Sequence, residues 1–272
     1  MKFLKNMLNF YVNASIHVAL AVYSLVRVTE FYLNIPYNEE LSYFIFYGTI
    51  TGYNFVKYFG IAKFHHRSLT QNLKSIQVFS FACFLLMCYY GFQLPKETLL
   101  LIAFFGVLTV LYAVPFLSGF QKNLRGVSYL KIVVVALVWM GISVMVPISN
   151  AQRELLSLPI IIQMIQRFLL VCVLILPFDI RDMEYDAVSL QTIPKKIGVQ
   201  NTKKLGFVLL LFTLVCEFFI SPSSTFRTAF LAVFFLTLFA LMRATKKQAK
   251  FFSSFWVESI PIFWWLFLIL FI

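Results

Sequence analysis

A chain of 272 residues would ordinarily make one or two soluble domains, but 61% hydrophobic residues, 12% charged residues and a mean hydropathy of +0.85 exclude that class. The 23 Lys and Arg outnumber the 11 Asp and Glu, for a net charge of +12. These bases sit mostly in short links between apolar runs, so they mark topology and contacts to anionic headgroups or phosphates, not nucleic acid.

Runs of about twenty mostly apolar residues, the length that crosses a bilayer, fall near 9–33, 41–62, 74–92, 97–117, 128–149, 155–178, 203–221, 226–244 and 251–271. They predict an all-α integral membrane protein of about nine transmembrane helices in a single domain over 1–272. Two longer connections, 63–73 and 179–202, are polar and charged. The first run follows Lys2 and Lys5 but lacks the short hydrophobic core and small-residue cleavage site of a secretory signal, so it reads as a retained first helix. Within it Asn13 and His17 are spaced i, i+4 and can face one cavity with Asn54, while Arg27 and Glu30 are spaced to pair. Cys83, Cys88, Cys172 and Cys216 all lie in apolar runs without ligand spacing and read as buried small hydrophobes. His65 and His66 are adjacent, cannot easily share one metal, and belong to a solvated connection.

Lys and Arg in alternate connections divide 16 against 3, which predicts a cytoplasmic N-terminus and a C-terminus on the opposite side. The expected location is a bacterial plasma (inner) membrane.

All three aspartates of the chain, Asp179, Asp182 and Asp186, lie where the sixth run reaches the cytoplasmic interface. On a continued helix they share one face within roughly 60° of arc, with Arg181 and Glu184 turned elsewhere. Carboxylates crowded in this way repel unless a cation neutralises them, and oxygen-only ligands suit Mg²⁺, which also recruits phosphate oxygens. The pattern points to a magnesium-diphosphate site. The competing reading is an acidic helix end balanced by Arg181, Lys195 and Lys196 in exposed salt bridges of little weight.

The spacing Asp179, Asp182, Asp186 followed by Thr192, Pro194 and Gly198 resembles the second acidic motif, D-x-x-D-x-x-x-D with a trailing T-x-P…G, of the UbiA superfamily of intramembrane prenyltransferases. The resemblance extends over nearly the whole chain through the helix count, the orientation and the two long cytoplasmic connections. It implies a single helical bundle with a central cavity opening to the cytoplasmic side. It also implies Mg²⁺ held at acidic motifs, and transfer of a prenyl group from a polyprenyl diphosphate to a lipophilic acceptor, or its cyclisation. The family's first motif, N-D-x-x-D, would fall at Asn54, but Phe55 and Tyr58 stand at the carboxylate positions and Ala62 stands where a further aspartate is common.

Lys57, one turn from Asn54 on the same face, can meet the diphosphate in place of a metal ion, or can simply snorkel to the interface. Arg125 and Lys131 flank the start of the fifth helix and, with Tyr112 near the same end and Arg181 beside the acidic motif, complete a candidate diphosphate clamp. Snorkelling is an equal alternative for Lys131.

Deeper in the apolar runs, Arg167, Glu217 and Glu258 are expected to face the protein interior, Glu258 pairing with Arg243 or Lys250 if the chain bends there. The aromatic share of 18% suits either the stabilisation of an allylic cation or lipid-facing packing. Two other classes stay open: a lipid-binding protein that keeps the fold without turnover, and a transporter. The lack of inverted hydropathy repeats weighs against the transporter.

Overall fold

The computed structural model describes residues 2–58, 70–113, 130–183 and 192–271. They form eleven helical segments and no strand: α1 Lys2–Asn13, α2 Ile16–Leu33, α3 Glu39–Tyr58, α4 Thr70–Gly91, α5 Lys96–Ala113, α6 Leu130–Met140, α7 Val146–Asn150, α8 Leu158–Asp182, α9 Ile193–Ile220, α10 Ser224–Arg243 and α11 Ile260–Phe271. A π-turn, Gly141–Met145, joins α6 to α7, and a second, Phe252–Val257, precedes α11. Six stretches among the described residues, 16–33, 73–91, 130–150, 158–182, 224–243 and 252–271, are long and apolar enough to cross a bilayer. The chain is an integral membrane protein. Much of the phenylalanine excess faces outward, with Phe81, Phe92, Phe218, Phe219, Phe235 and Phe239 exposed where lipid would lie.

The first apolar run is not one helix. It breaks at Ala14 and Ser15, whose φ of 61° is left-handed, a conformation that costs roughly 1–2 kcal/mol outside glycine. Hydrogen bonds from α3 hold the break. Ser15 Oγ donates to Asn54 Oδ1 at 2.8 Å, and Asn54 Nδ2 donates to the Ala14 carbonyl at 3.1 Å. The Asn13 carbonyl accepts from Lys57 Nζ at 3.1 Å and from the Tyr58 hydroxyl at 2.9 Å. The last carbonyls of α1, which have no partner within their own helix, thus find donors on α3. Asn13 and His17 therefore do not share a helical face as the sequence suggested. His17 is buried instead, stacked on Phe255 at 4.6 Å, with Nε2 at 2.9 Å from the Phe255 carbonyl and Nδ1 at 3.0 Å from the Tyr11 hydroxyl.

The central helix is α2, which packs on α3, on α11 and on the first π-turn. Its residues Ala19, Ala21, Leu25, Val26 and Val28 are fully buried. Arg27 pairs with Glu30, as their spacing indicated. In the core, Arg167 of α8 is fully buried and donates to the Leu25 carbonyl at 2.8 Å, to Ser143 Oγ at 3.2 Å and to Thr29 Oγ1 at 3.3 Å. Thr29 Oγ1 also donates to the Ser143 carbonyl at 2.7 Å. Glu217 of α9 accepts from the Tyr32 hydroxyl at 2.8 Å and from Gln166 Nε2 at 2.7 Å. Polar groups of three helices and the π-turn thereby find partners where water is scarce, although Arg167 Nε is left without one among the described residues.

At Gly141 an added Cβ would lie 1.9 Å from Cζ of the buried Phe105. Gly141→Ala is expected to destabilise the bundle by about 1–3 kcal/mol through overpacking, seen as a lowered melting temperature in detergent. Adding Phe105→Leu should return most of the loss.

Candidate functional site

Pro177 interrupts α8 near its end. Without an N–H it cannot close the bond to the Val173 carbonyl, so the last turn is released from the regular ladder. The Pro177 carbonyl accepts from Gln248 Nε2 at 2.8 Å, and Gln248 Oε1 accepts from Ser253 Oγ at 2.6 Å. These bonds fasten the second π-turn beside the end of α8.

Two residues on, Asp179 is 1% exposed and receives Lys131 Nζ of α6 at 2.6 Å. This is a short charge-assisted hydrogen bond with one partner almost sealed from solvent. Asp182, with its side chain 27% exposed, accepts from Arg181 Nε at 2.7 Å and Nη2 at 3.2 Å. Arg181 also lies 5.3 Å from the Phe178 ring centroid. The expectation that Arg181 points away from the acidic face is therefore corrected: its guanidinium folds onto the neighbouring carboxylate. Asp186 and Arg125 lie outside the described residues, as do Glu184, His65 and His66.

Lys57 and Asn54 have a second duty. Both amide ends of the buried Asn54 are engaged at the α1–α2 break, and Lys57 donates to a carbonyl there. Lys57 is also within electrostatic range of Arg181, which brings the end of α3 to the end of α8. Tyr112 of α5 is buried and in range of Tyr53, whose hydroxyl accepts from Trp139 Nε1 at 2.6 Å. Tyr112 of α5 and Trp139 of α6 thus gather around Tyr53 of α3, while Lys131, eight residues earlier on α6, meets Asp179 of α8.

Sequence reasoning missed the role of Glu258 here. It pairs with neither Arg243 nor Lys250; Lys250 donates to Asn9 Oδ1 at 2.7 Å instead. Glu258 lies within electrostatic range of Lys57, Arg181, Tyr53 and Tyr11. The available signal was one acid in the last apolar run, and pattern alone could not aim it.

Among the described residues no group of three His, Cys, Asp or Glu side chains converges to hold a metal ion. Asp179 and Asp182 supply two carboxylates, a donor set that fits a hard cation completed by phosphate oxygens and water. After them, α9 starts at Ile193 with Pro194 in its first turn, and passes through Gly198 at φ 78°, a left-handed conformation suited to glycine.

The described residues form an all-helical membrane bundle in which Lys131 meets Asp179 and Arg181 meets Asp182 at the end of α8. No family model and no curated protein matches the sequence. Solved structures do. A UbiA homologue from Aeropyrum pernix K1 superposes with a TM-score of 0.67 at 13% identity, covering 94% of this chain and 98% of that one. A UbiA homologue from Archaeoglobus fulgidus bound to GPP and Mg²⁺ gives 0.63 at 13% identity, covering 95% and 97%. A digeranylgeranylglyceryl phosphate synthase gives 0.58 at 13% identity, covering 100% and 99%. The chain has the UbiA-like fold.

Proposed function

We propose that the protein is a divergent Mg²⁺-dependent enzyme that ionises a polyprenyl diphosphate inside the membrane and passes the prenyl group to a lipophilic acceptor, or cyclises it. The observation that carries this reading is the pairing of Lys131 with the buried Asp179 within a turn of the Arg181–Asp182 pair on the same helix end, with Lys57 in range of Arg181. Several cations gathered at one place, Lys131, Arg181 and Lys57, favour an anionic ligand there. The Archaeoglobus fulgidus homologue, bound to GPP and Mg²⁺, supports the kind of ligand.

In this reading Asp179, Asp182 and Asp186 hold the metal, whose charge helps neutralise the leaving diphosphate. Lys131, Lys57, Arg181 and Arg125 donate to phosphate oxygens, where charge develops as the C–O bond breaks and where exclusion of water strengthens each contact. Asp179, now paired with Lys131, would share in holding the cation, leaving the Lys131 ammonium for the phosphate oxygens. Asn54 acts indirectly, by fixing the α1–α2 break against which Lys57 of α3 rests, and Tyr112 lines the same end. The nine-helix count, the cytoplasmic N-terminus and the cavity opening on that side belong to the same proposal.

Purified protein given geranyl diphosphate and Mg²⁺ is expected to release pyrophosphate. Chelation with EDTA should return the rate to background, and Asp182→Asn should abolish release. Tight binding of geranyl diphosphate with no pyrophosphate at any Mg²⁺ concentration would instead establish the non-catalytic lipid-binding reading, which the Phe55 and Tyr58 side chains in place of carboxylates favour.

A further inference from the structure

Glu258 is the acid of the bundle interior that neither ion pairs nor hydrogen bonds account for. It follows the second π-turn directly, between the buried residues Val257 and Ser259. Among the described residues its carboxylate makes no ion pair and accepts no side-chain hydrogen bond, whereas Glu30, Glu217, Asp179 and Asp182 are all partnered. It is half-buried. Lys57 of α3 and Arg181 of α8 lie within electrostatic range, as do the hydroxyls of Tyr53 and Tyr11.

Its position is built. The π-turn that delivers it is tied to α8 through Gln248 and Ser253, and to α2 through His17, which contacts both the Phe255 carbonyl and Ser259 Oγ, the latter at 3.1 Å. A carboxylate left without a direct partner in a membrane span is costly and marks function more often than packing. Lys57 and Arg181 lie in range of it, and neither forms an ion pair with it.

Prenyl transfer also needs such a group. When the acceptor's nucleophilic oxygen bonds to C1 of the prenyl chain, the C1–O bond to diphosphate breaks and its electron pair leaves with pyrophosphate. The acceptor is left with one proton too many. The cations sit on the diphosphate side, and a free carboxylate in their range sits where that proton can go.

We propose that Glu258 is the acceptor-side proton acceptor, hydrogen-bonding the hydroxyl of a lipophilic alcohol or phenol and taking its proton as the prenyl ether forms. The assignment rests on the prenyl-transfer reading above.

The test uses full-length protein in detergent with geranyl diphosphate, Mg²⁺ and a panel of alkylphenols and long-chain alkanols, following geranyl ether, geraniol and pyrophosphate separately. Glu258→Gln is expected to lower ether formation by about 100-fold, the scale of general-base catalysis. Pyrophosphate release should stay within about threefold, with geraniol from water capture replacing the ether. Glu258→Asp should restore part of the ether, at an unchanged melting temperature.

Unchanged ether formation in Glu258→Gln overturns the proposal. So does a parallel fall of ether and pyrophosphate, and so does a wild-type protein that releases pyrophosphate but prenylates none of the panel. Failure of the wild type to bind geranyl diphosphate at all would sink the prenyl-transfer reading itself, and this arm is scored by binding alone.

Discussion

Lys131→Met is expected to lower pyrophosphate release from geranyl diphosphate by about 10²–10³-fold, the loss typical of removing one preorganised donor from developing negative charge. The same substitution leaves the nearly sealed Asp179 carboxylate without its ammonium partner at 2.6 Å, and breaking a buried pair from one side costs about 3–5 kcal/mol. Activity and stability therefore fall together, and a second variant separates them. Lys131→Met combined with Asp179→Leu removes both charges, so the melting temperature should recover most of its loss while pyrophosphate release stays at background. If the double variant regains turnover, the pair is only a structural tie between α6 and α8. A Lys131→Met protein with wild-type turnover would remove the diphosphate clamp from the proposal.

The second large effect is expected at Arg167, remote from that chemistry. Its guanidinium is 0% exposed, donates to groups on α2 and the first π-turn, and lies 5.2 Å from the Trp264 ring centroid. Arg167→Met leaves the Thr29, Ser143 and Leu25 acceptors short of donors. It also removes the cation in range of the buried Glu217. A destabilisation of about 3–5 kcal/mol is expected, read as a fall in melting temperature and in recovery of monodisperse protein from detergent. Adding Glu217→Gln should recover a substantial part, because no buried charge then stands alone. If Arg167→Met melts like the wild type, the network is not what joins α2, α8 and the π-turn.

The gathering of all three aspartates over 179–186 was legible in the sequence; the structure sets Asp179 and Asp182 at the end of α8, and Asp186 lies outside the described residues. Arg27 and Glu30 were legible as a pair from their spacing. The α1–α2 break was not. Nothing local at Asn13, Ala14 and Ser15 demands a left-handed residue, and the donors that make the break tolerable lie about forty positions away on α3. Asn54 therefore read as a ligand, when its amide is occupied at both ends in holding that turn.

By itself the sequence determined that this chain lives in a membrane, is helical, and carries an acidic helix end near several bases, because hydropathy, period and spacing act over a few turns. Only the tertiary structure decided which base meets which acid. It gave Lys131 to Asp179, folded Arg181 onto Asp182, and brought Glu258 from the last span into range of Lys57 and Arg181 from two others. Charge pairing depends on distances of a few ångströms between side chains far apart in the chain, and those distances exist only once the helices have packed.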